Sequence, residues 1–419
     1  MDVTPSGRNR VGVGLVSCLL ALGGCAGGGE SETPTPGLVG DTITLGALTP
    51  LSDAVAVIGV PLAAGLQTYF EALNERGGVR GRLPVRLLVE DVAYMNPSTT
   101  VQKYQKIKDQ IAMLAMVVGT DHINTLLPLL EEDSIVASPT TFDAEWVREP
   151  NLLPWGSPYQ IATINGVGYY LTEGGGAGKR VCALALATGY GEAGIEGLQF
   201  ASHEMGFEIA ATARFKQDDQ DFVAPITQLR NARCDAVLFV SLPSVTGKVL
   251  GAAAQLGFEP RWILLSPGWH GSLVESPLRA YYEKNLWVAF DGAEWGDSTV
   301  AGMRTMLAAQ TKYRPTQQPD MFYVAGWVIG RSVHAALEKA ASLSDLSRAG
   351  ILRAVSEMGE VSFDGIMSGY RYGPAESREP PRNATIFRIN ASKPVGLEPV
   401  AVNYTAPAAL KYTFQRKER

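Results

Sequence analysis

Apolar residues recur along the chain at two alternating spacings, one fitting strands and the other fitting helices. Thr42 to Leu48 is a short apolar run that predicts a strand. Gly59 to Glu75 follows with Leu62, Leu66, Tyr69, Phe70 and Leu73 on one helical face. Leu83 to Glu90 predicts a second strand, and Asn96-Pro97 starts a helix that runs through Val101 to Asp109. Strand Ala112 to Val118, helix Asn124 to Glu132 and strand Ile135 to Ser138 complete the first run. The rhythm then restarts. Strand Val181 to Ala187, helix Glu192 to Met205, strand Glu208 to Phe215 and helix Phe222 to Ala232 are followed by strand Ala236 to Ser241, helix Thr246 to Leu256 and strand Trp262 to Ser266. Strands separated by helices of about 10 to 15 residues imply βαβ units and parallel sheets. Two such runs predict an α/β protein of two doubly wound, Rossmann-like lobes. Ligands of such sheets bind beyond the carboxyl ends of the strands, so two facing lobes would enclose one cleft.

The first 25 residues do not fit this pattern. Arg8 and Arg10 precede an apolar run from Val11 to Leu22, which is too short to cross a bilayer and reads as a signal peptide. The run ends in Leu22-Gly23-Gly24-Cys25, which resembles a bacterial lipobox and makes Cys25 the expected site of lipidation. Small, polar and proline-rich residues follow to Pro36. They cannot bury a core, so they predict a flexible tether between a lipid anchor and the lobes. No second apolar stretch of bilayer length is expected.

Charge and cysteine content narrow the function. The net charge of -6 argues against nucleic acid as a partner, since phosphate binding needs clustered Lys and Arg. Arg416, Lys417 and Arg419 form the one basic cluster and are expected to be a solvated end. Cys182 and Cys234 fall near the starts of predicted strands. They read as two buried free thiols, with a disulfide between neighbouring strands as the alternative in an oxidising compartment. The histidines show no paired metal spacing, and neither metal nor cofactor is expected.

Two glycine patterns compete with a binding role. Gly189-x-Gly191-x-x-Gly194 follows a strand and opens a helix, as the dinucleotide fingerprint requires, but no acidic residue closes the next strand. Gly174 to Lys179 resembles a phosphate loop, yet it precedes its strand and continues into Arg180 rather than Ser or Thr. No nucleophile–base constellation appears, so the chain is not expected to be an enzyme.

Several segments resemble, in order and spacing, the branched-chain amino acid binding proteins of ABC importers. They are Leu48-Thr49-Pro50-Leu51-Ser52, the turn Leu73 to Gly81, Glu90-Asp91, Gly189-Tyr190-Gly191, Asp221-Phe222, Cys234 to Val237 and Ser362-Phe363-Asp364-Gly365. The resemblance runs from Asp41 to about Val400. It implies the type I periplasmic binding protein fold, with two lobes, a three-strand hinge and closure around a ligand. On that plan residues 1–25 are the leader and 26–40 the tether. The first lobe takes 41–160 and about 292–360, the second takes 161–291 and about 361–405, and 406–419 is a tail. The implied partners are a small molecule and the permease subunits of a membrane importer, for a monomer exported and held at the membrane by its lipid.

The resemblance also places candidate ligand contacts. A small hydroxyl residue that would meet a ligand carboxylate falls at Ile123, so Asn124 or Thr125 is the expected substitute, with Asp121 and His122 beside it. Thr140 and Thr141 lie in the next contacting loop, and Tyr190 matches a tyrosine lining the cleft from the second lobe. A second family aromatic falls at Leu242. The acid that would hold an ammonium falls at Gly268, within Ser266-Pro267-Gly268-Trp269-His270. Without that acid, Trp269 and His270 are expected to offer an apolar wall and a neutral polar group. A ligand that is aromatic or otherwise hydrophobic, with a carboxylate or amide, is then expected, while Asp121 could supply the missing charge for an amino acid. Trp155 and Trp295 read as hinge packing. The alternative to transport is an extracellular sensing module of the same fold.

Overall fold

Thr42–Thr49 is apolar toward both faces and buried along nearly its whole length, as a strand covered by helices on both sides must be. The computed structural model, which describes residues 35–417, builds two such sheets. The leader, Cys25 and most of the expected tether lie outside the described residues. Lobe 1 contains β1 (Leu38–Val39), β2 (Thr42–Thr49), α1 (Ala56–Glu75), β3 (Val85–Asp91), α2 (Ser98–Ile107), β4 (Leu114–Val118), α3 (Thr120–Glu132) and β5 (Ala137–Thr140). Its parallel strands run in the order β3-β2-β4-β5, and β1 lies antiparallel to the start of β2.

Lobe 2 follows with α4 (Tyr159–Thr172), β6 (Val181–Leu186), α5 (Gly189–Met205), β7 (Ile209–Phe215), α6 (Val223–Asn231), β8 (Ala236–Val240), α7 (Pro243–Gln255), β9 (Arg261–Leu265), α8 (Arg279–Asn285) and β10 (Leu286–Phe290). The chain then returns to lobe 1 with α9 (Ala301–Tyr313), α10 (Met321–Ser342) and α11 (Arg348–Glu357). β11 (Glu360–Val361) and β12 (Tyr370–Arg371) pair across the next crossing. β13 (Ala384–Ile389), β14 (Leu397–Tyr404) and α12 (Pro407–Lys411) finish lobe 2. The lobe 2 sheet is ordered β7-β6-β8-β9-β10-β13-β14, with the last two strands antiparallel. Both sheets reverse direction beside their first strand, the position at which doubly wound proteins bind ligands.

The lobe 1 sheet is packed on both faces. Leu45, Ala47, Ala115 and Met116 meet the side covered by α1, while Leu48, Leu114 and Val117 join Tyr104 and Leu126 of α2 and α3. α1 is long and apolar enough to cross a membrane by length and composition, a stretch not foreseen from the sequence. It instead buries 67% of that window inside the fold, packed along α10.

One expectation needs correction, and another holds only in part. Cys182 and Cys234 are joined in a disulfide rather than left as thiols. β6 and β8 are direct neighbours in register, and the amides of Asp235 and Ala236 bond to the carbonyl of Arg180. This sets the two Cα atoms 5.8 Å apart, within bonding reach. The chain just before the basic cluster is tied down, while Arg416 and Lys417 themselves stay exposed and Arg419 lies outside the described residues. Tyr412 and Phe414 are buried with Ile161, Ile164 and Ala201, and Arg382 lies over the Phe414 ring at 4.6 Å. Arg416 reaches Glu149 at 3.2 Å, and Lys417 reaches the buried Glu145 at 3.5 Å.

The disulfide spans 52 residues, for which loop entropy gives up to about 4 kcal/mol of stabilisation. The Cys182→Ala, Cys234→Ala double variant is therefore expected to unfold about 2–4 kcal/mol more easily in a denaturant titration. An unchanged midpoint would show that the bridge constrains nothing the sheet does not already hold.

Candidate functional site

The carboxyl ends of the strands in both lobes meet at one cavity of ≈ 120 Å³. A water needs on the order of 10–15 Å³ on this measure, so the space takes several waters or one small molecule. Lobe 1 contributes Val118, Gly119 and Thr120 at the end of β4 and Thr140, Thr141 and Phe142 at the end of β5. Lobe 2 contributes Tyr190 after β6, Leu242 after β8, and Leu265 to Pro267 after β9. The crossing segments add Trp155, Ser157 and Tyr159 on one side and Phe290 to Trp295 on another, and Phe322 of α10 completes the wall.

The placement of α3 decides which candidates reach this space. The sequence pattern predicted a helix from Asn124, but the helix begins at Thr120, with Gly119 as its cap at φ 107°. A side chain at Gly119 would meet the His122 ring at 2.7 Å and Tyr94 at 3.0 Å, so only glycine makes this entry. The early start leaves Thr120 at the cavity and carries Asn124 and Thr125 to the exposed face, where neither lines the site. Thr125 Oγ1 donates to the Asp121 carbonyl.

His122 turns into lobe 1. Its Nε2–H donates to the Tyr94 carbonyl at 2.8 Å, which leaves Nδ1 to accept from Thr100 Oγ1 at 2.5 Å. Burial lowers the His122 pKa, in keeping with this neutral ring. Its stacking beneath Tyr94 supports the cavity wall without touching the space. Asp121 is likewise not a wall residue. Its Oδ1 accepts from the Gly189 amide of lobe 2 at 3.1 Å, joining the two lobes.

The Trp269 and His270 expectations fail for a similar local reason. β9 ends at Leu265, and a short turn over Ser266–Gly268 directs the chain away from the cavity. Trp269 is fully buried in lobe 2, where its Nε1 donates to the Val395 carbonyl at 3.0 Å. His270 points to Asp320 of lobe 1, with Nε2 to Oδ2 at 3.1 Å. Conversely, Trp155 and Trp295, expected to pack the hinge, both line the cavity while lying on crossing segments. Tyr94, Thr120, Ser157 and Tyr159 line it too. Their sequence signal was a position just past a strand or on a crossing, which becomes readable only once strand ends are known.

Thr140, Thr141 and Tyr190 are brought to the cavity as expected from the sequence. Thr141 Oγ1 pairs with Thr120 Oγ1 at 2.6 Å, whereas Thr140 Oγ1, Ser157 Oγ and Tyr190 OH are buried without a hydrogen-bond partner. Unmade hydrogen bonds are costly in a buried site, so these three hydroxyls are poised to receive polar atoms. Among the described residues no Lys, Arg or His lines the wall; of its two carboxylates, Glu294 is paired with a cation and Asp291 is held by neutral donors only. Glu294 pairs with Lys393 at 2.7 Å. Asp291 accepts from Ser368 N, Ser368 Oγ and Asn383 Nδ2, which ties β10 to the returning crossing and to β13.

The glycine fingerprint at α5 has a packing role. A side chain at Gly191 would fall 1.7 Å from the Leu186 carbonyl oxygen, one at Gly194 2.5 Å from Val240, and one at Gly189 2.8 Å from Asp121 Oδ1. These glycines let α5 lie close on its sheet and let the lobes touch.

Burial without a cation nearby pushes Asp291 up to about 6. An acid whose folded pKa lies above its unfolded value holds its proton more tightly when folded. Asp291 therefore costs stability as pH rises from about 4 through its folded pKa. In denaturant titrations at about pH 4.5 and 7, the stability of Asp291→Asn relative to the natural protein should improve toward pH 7. A pH-independent difference would contradict this reading.

Comparison with known proteins agrees with this architecture. Residues 42–394 match the family model described as periplasmic binding protein. A Leu/Ile/Val-binding protein homolog of Brucella melitensis is 23% identical over 206 residues, covering 47% of this chain and 54% of the relative. The match thus spans about half the length of that relative. A fatty acid ABC transporter substrate-binding protein from Thermomonospora curvata superposes with TM-score 0.83 at 22% identity, covering 91% of this chain and 97% of that one. A branched chain amino acid ABC transporter protein from Thermus thermophilus with bound valine gives TM-score 0.76 at 18% identity, covering 88% and 98%. The likeness to these structures is one of fold. With a family model matching most of its length and two facing doubly wound lobes around one cavity, the chain belongs to the periplasmic binding protein family.

Proposed function

We propose that this protein captures a small, mainly apolar molecule with one polar end outside the cell and presents it to an ABC importer. The chemistry of the cavity wall carries this reading. The wall is largely apolar, its carboxylates are already bonded, and three buried hydroxyls lack partners. A free amino acid would need an acid for its ammonium, and of the two in the wall Glu294 is already neutralised by Lys393 while Asp291, though it has no cation beside it, has its oxygens held by Ser368 and Asn383. A fatty or aromatic carboxylate, or an amide, needs only donors at one end. Thr120 and Thr141 beside the first turn of α3 supply such an end, with the helix N-terminus favouring a carboxylate. The apolar remainder would lie against Trp155, Phe290, Trp295 and Phe322. The relatives named for fatty acids and for branched-chain amino acids support the transport class, and the first of these fits the wall better. Cys25 would carry the lipid that keeps the protein at the membrane.

A thermal-shift panel of octanoate, octanamide, phenylacetate, leucine and valine tests the ligand class. Stabilisation should come from the acids or the amide, reaching about 2.7 kcal/mol at a hundredfold excess over Kd. Shifts with leucine and valine alone would overturn the assignment and show that Asp291 or Glu294 gives up its present partner. For the compound that binds, Tyr190→Phe should weaken affinity by about fivefold, the value of one hydrogen bond, while leaving the unliganded melting temperature nearly unchanged. An undiminished affinity would remove Tyr190 from the contacts. Cells lacking the gene should lose uptake of the same compound; intact uptake with a lost transcriptional response would favour a sensing role.

A further inference from the structure

We infer that Trp269, His270 and the turn between β13 and β14 form a closing lip of lobe 2, whose clasp on Asp320 and Glu294 holds the cleft shut. The proposal rests on the reading of the cleft as a closing ligand site and assigns its closure to specific residues. His270 Nδ1 accepts from the Ser272 amide at 3.2 Å, so the ring hydrogen sits on Nε2 and is donated across the cleft to Asp320 Oδ2 at 3.1 Å. Asp320 is fixed to receive it. Its Oδ1 caps α10 by accepting from the Phe322 and Tyr323 amides at 2.6 and 3.1 Å, which leaves Oδ2 for the other lobe. Phe322 lies parallel to the His270 ring, 6.4 Å between centroids, and lines the cavity. The clasp therefore acts on a residue that contributes to the ligand wall.

The second half of the lip is built on Trp269. Its indole N–H holds the Val395 carbonyl, and a side chain at Gly396 would strike Val274 at 2.6 Å and Trp269 at 3.1 Å, so the turn sits tightly against the Trp269–His270 segment. That turn carries Lys393 to Glu294, on the segment leaving β10 for lobe 1, at 2.7 Å. Val395 and Leu397, on either side of Gly396, line the cavity. Lip and wall are thus one packed unit, and opening the cleft must break both polar pairs together. The residues that failed as ligand contacts are accounted for as positioning residues.

The Asp121–Gly189 contact reports closure independently, because it forms after β6, separated by β8 from the β9 end that carries His270. Amide hydrogen exchange of the full chain, with no ligand added, tests the proposal. His270→Ala should speed exchange of the peptide containing Gly189 by about fivefold while the strands of both sheets keep their protection. His270→Gln, which retains a donor, should restore most of that protection, and Lys393→Ala should loosen the same peptide. Loosening confined to the neighbourhood of residues 270 and 320, or an effect that the Gln variant does not reverse, would overturn the clasp. So would an unchanged Gly189 peptide in both the His270→Ala and Lys393→Ala proteins. A cleft that binds its ligand without this clasp would still give thermal shifts, so the two proposals fail separately.

Discussion

Parallel strands covered by helices on both faces leave their backbone and side chains open to a ligand only beyond the strand ends. Everything else about this molecule follows from setting two such sheets with their carboxyl ends toward each other. The cavity wall is a series of residues one or two positions past β4, β5, β8, β9 and β10, with Tyr190 four positions past β6. The crossing segments must pass beside the same space to join the lobes. Trp155 and Trp295 therefore serve both the connection and the wall.

This constraint explains what the sequence could and could not reveal. The alternation of apolar runs placed the strands and helices through β9 within about four residues, because buried parallel strands and amphipathic helices have distinct periods, but it missed β1 and the helix α4, which is apolar and buried nearly all round and so shows no amphipathic stripe. The lobes' facing arrangement came from family resemblance rather than periodicity. Site residues depended on single-residue detail. Thr140, Thr141 and Tyr190 follow strands whose ends were well placed, and they reached the cavity. Asn124 and Thr125 did not, because α3 starts four residues earlier than its apolar pattern suggested, at a glycine whose positive φ no periodicity reveals. Trp269 and His270 were lost at a three-residue turn after β9. The buried tail and the disulfide depend on contacts between distant segments, which spacing along the chain does not encode.

The electrostatics of the site also come from distant segments. Asp291 is bonded by Ser368 and Asn383, and Glu294 by Lys393, so acids that a linear reading might offer to a ligand are spent on joining the crossings and the lip. What remains unpaired are hydroxyls, which can donate or accept and carry no charge. A cavity of this kind discriminates by the number of charges a ligand brings more than by its shape, since each buried charge without a partner is costly.

The central claim is that the space between the lobes holds an apolar molecule with a single polar end. Native mass spectrometry of the protein purified from its own cells, followed by denaturation and identification of what is released, tests it most directly. The account predicts one small molecule per chain, released as an apolar carboxylic acid or amide. Release of a free amino acid, a sugar or a phosphorylated compound would contradict it.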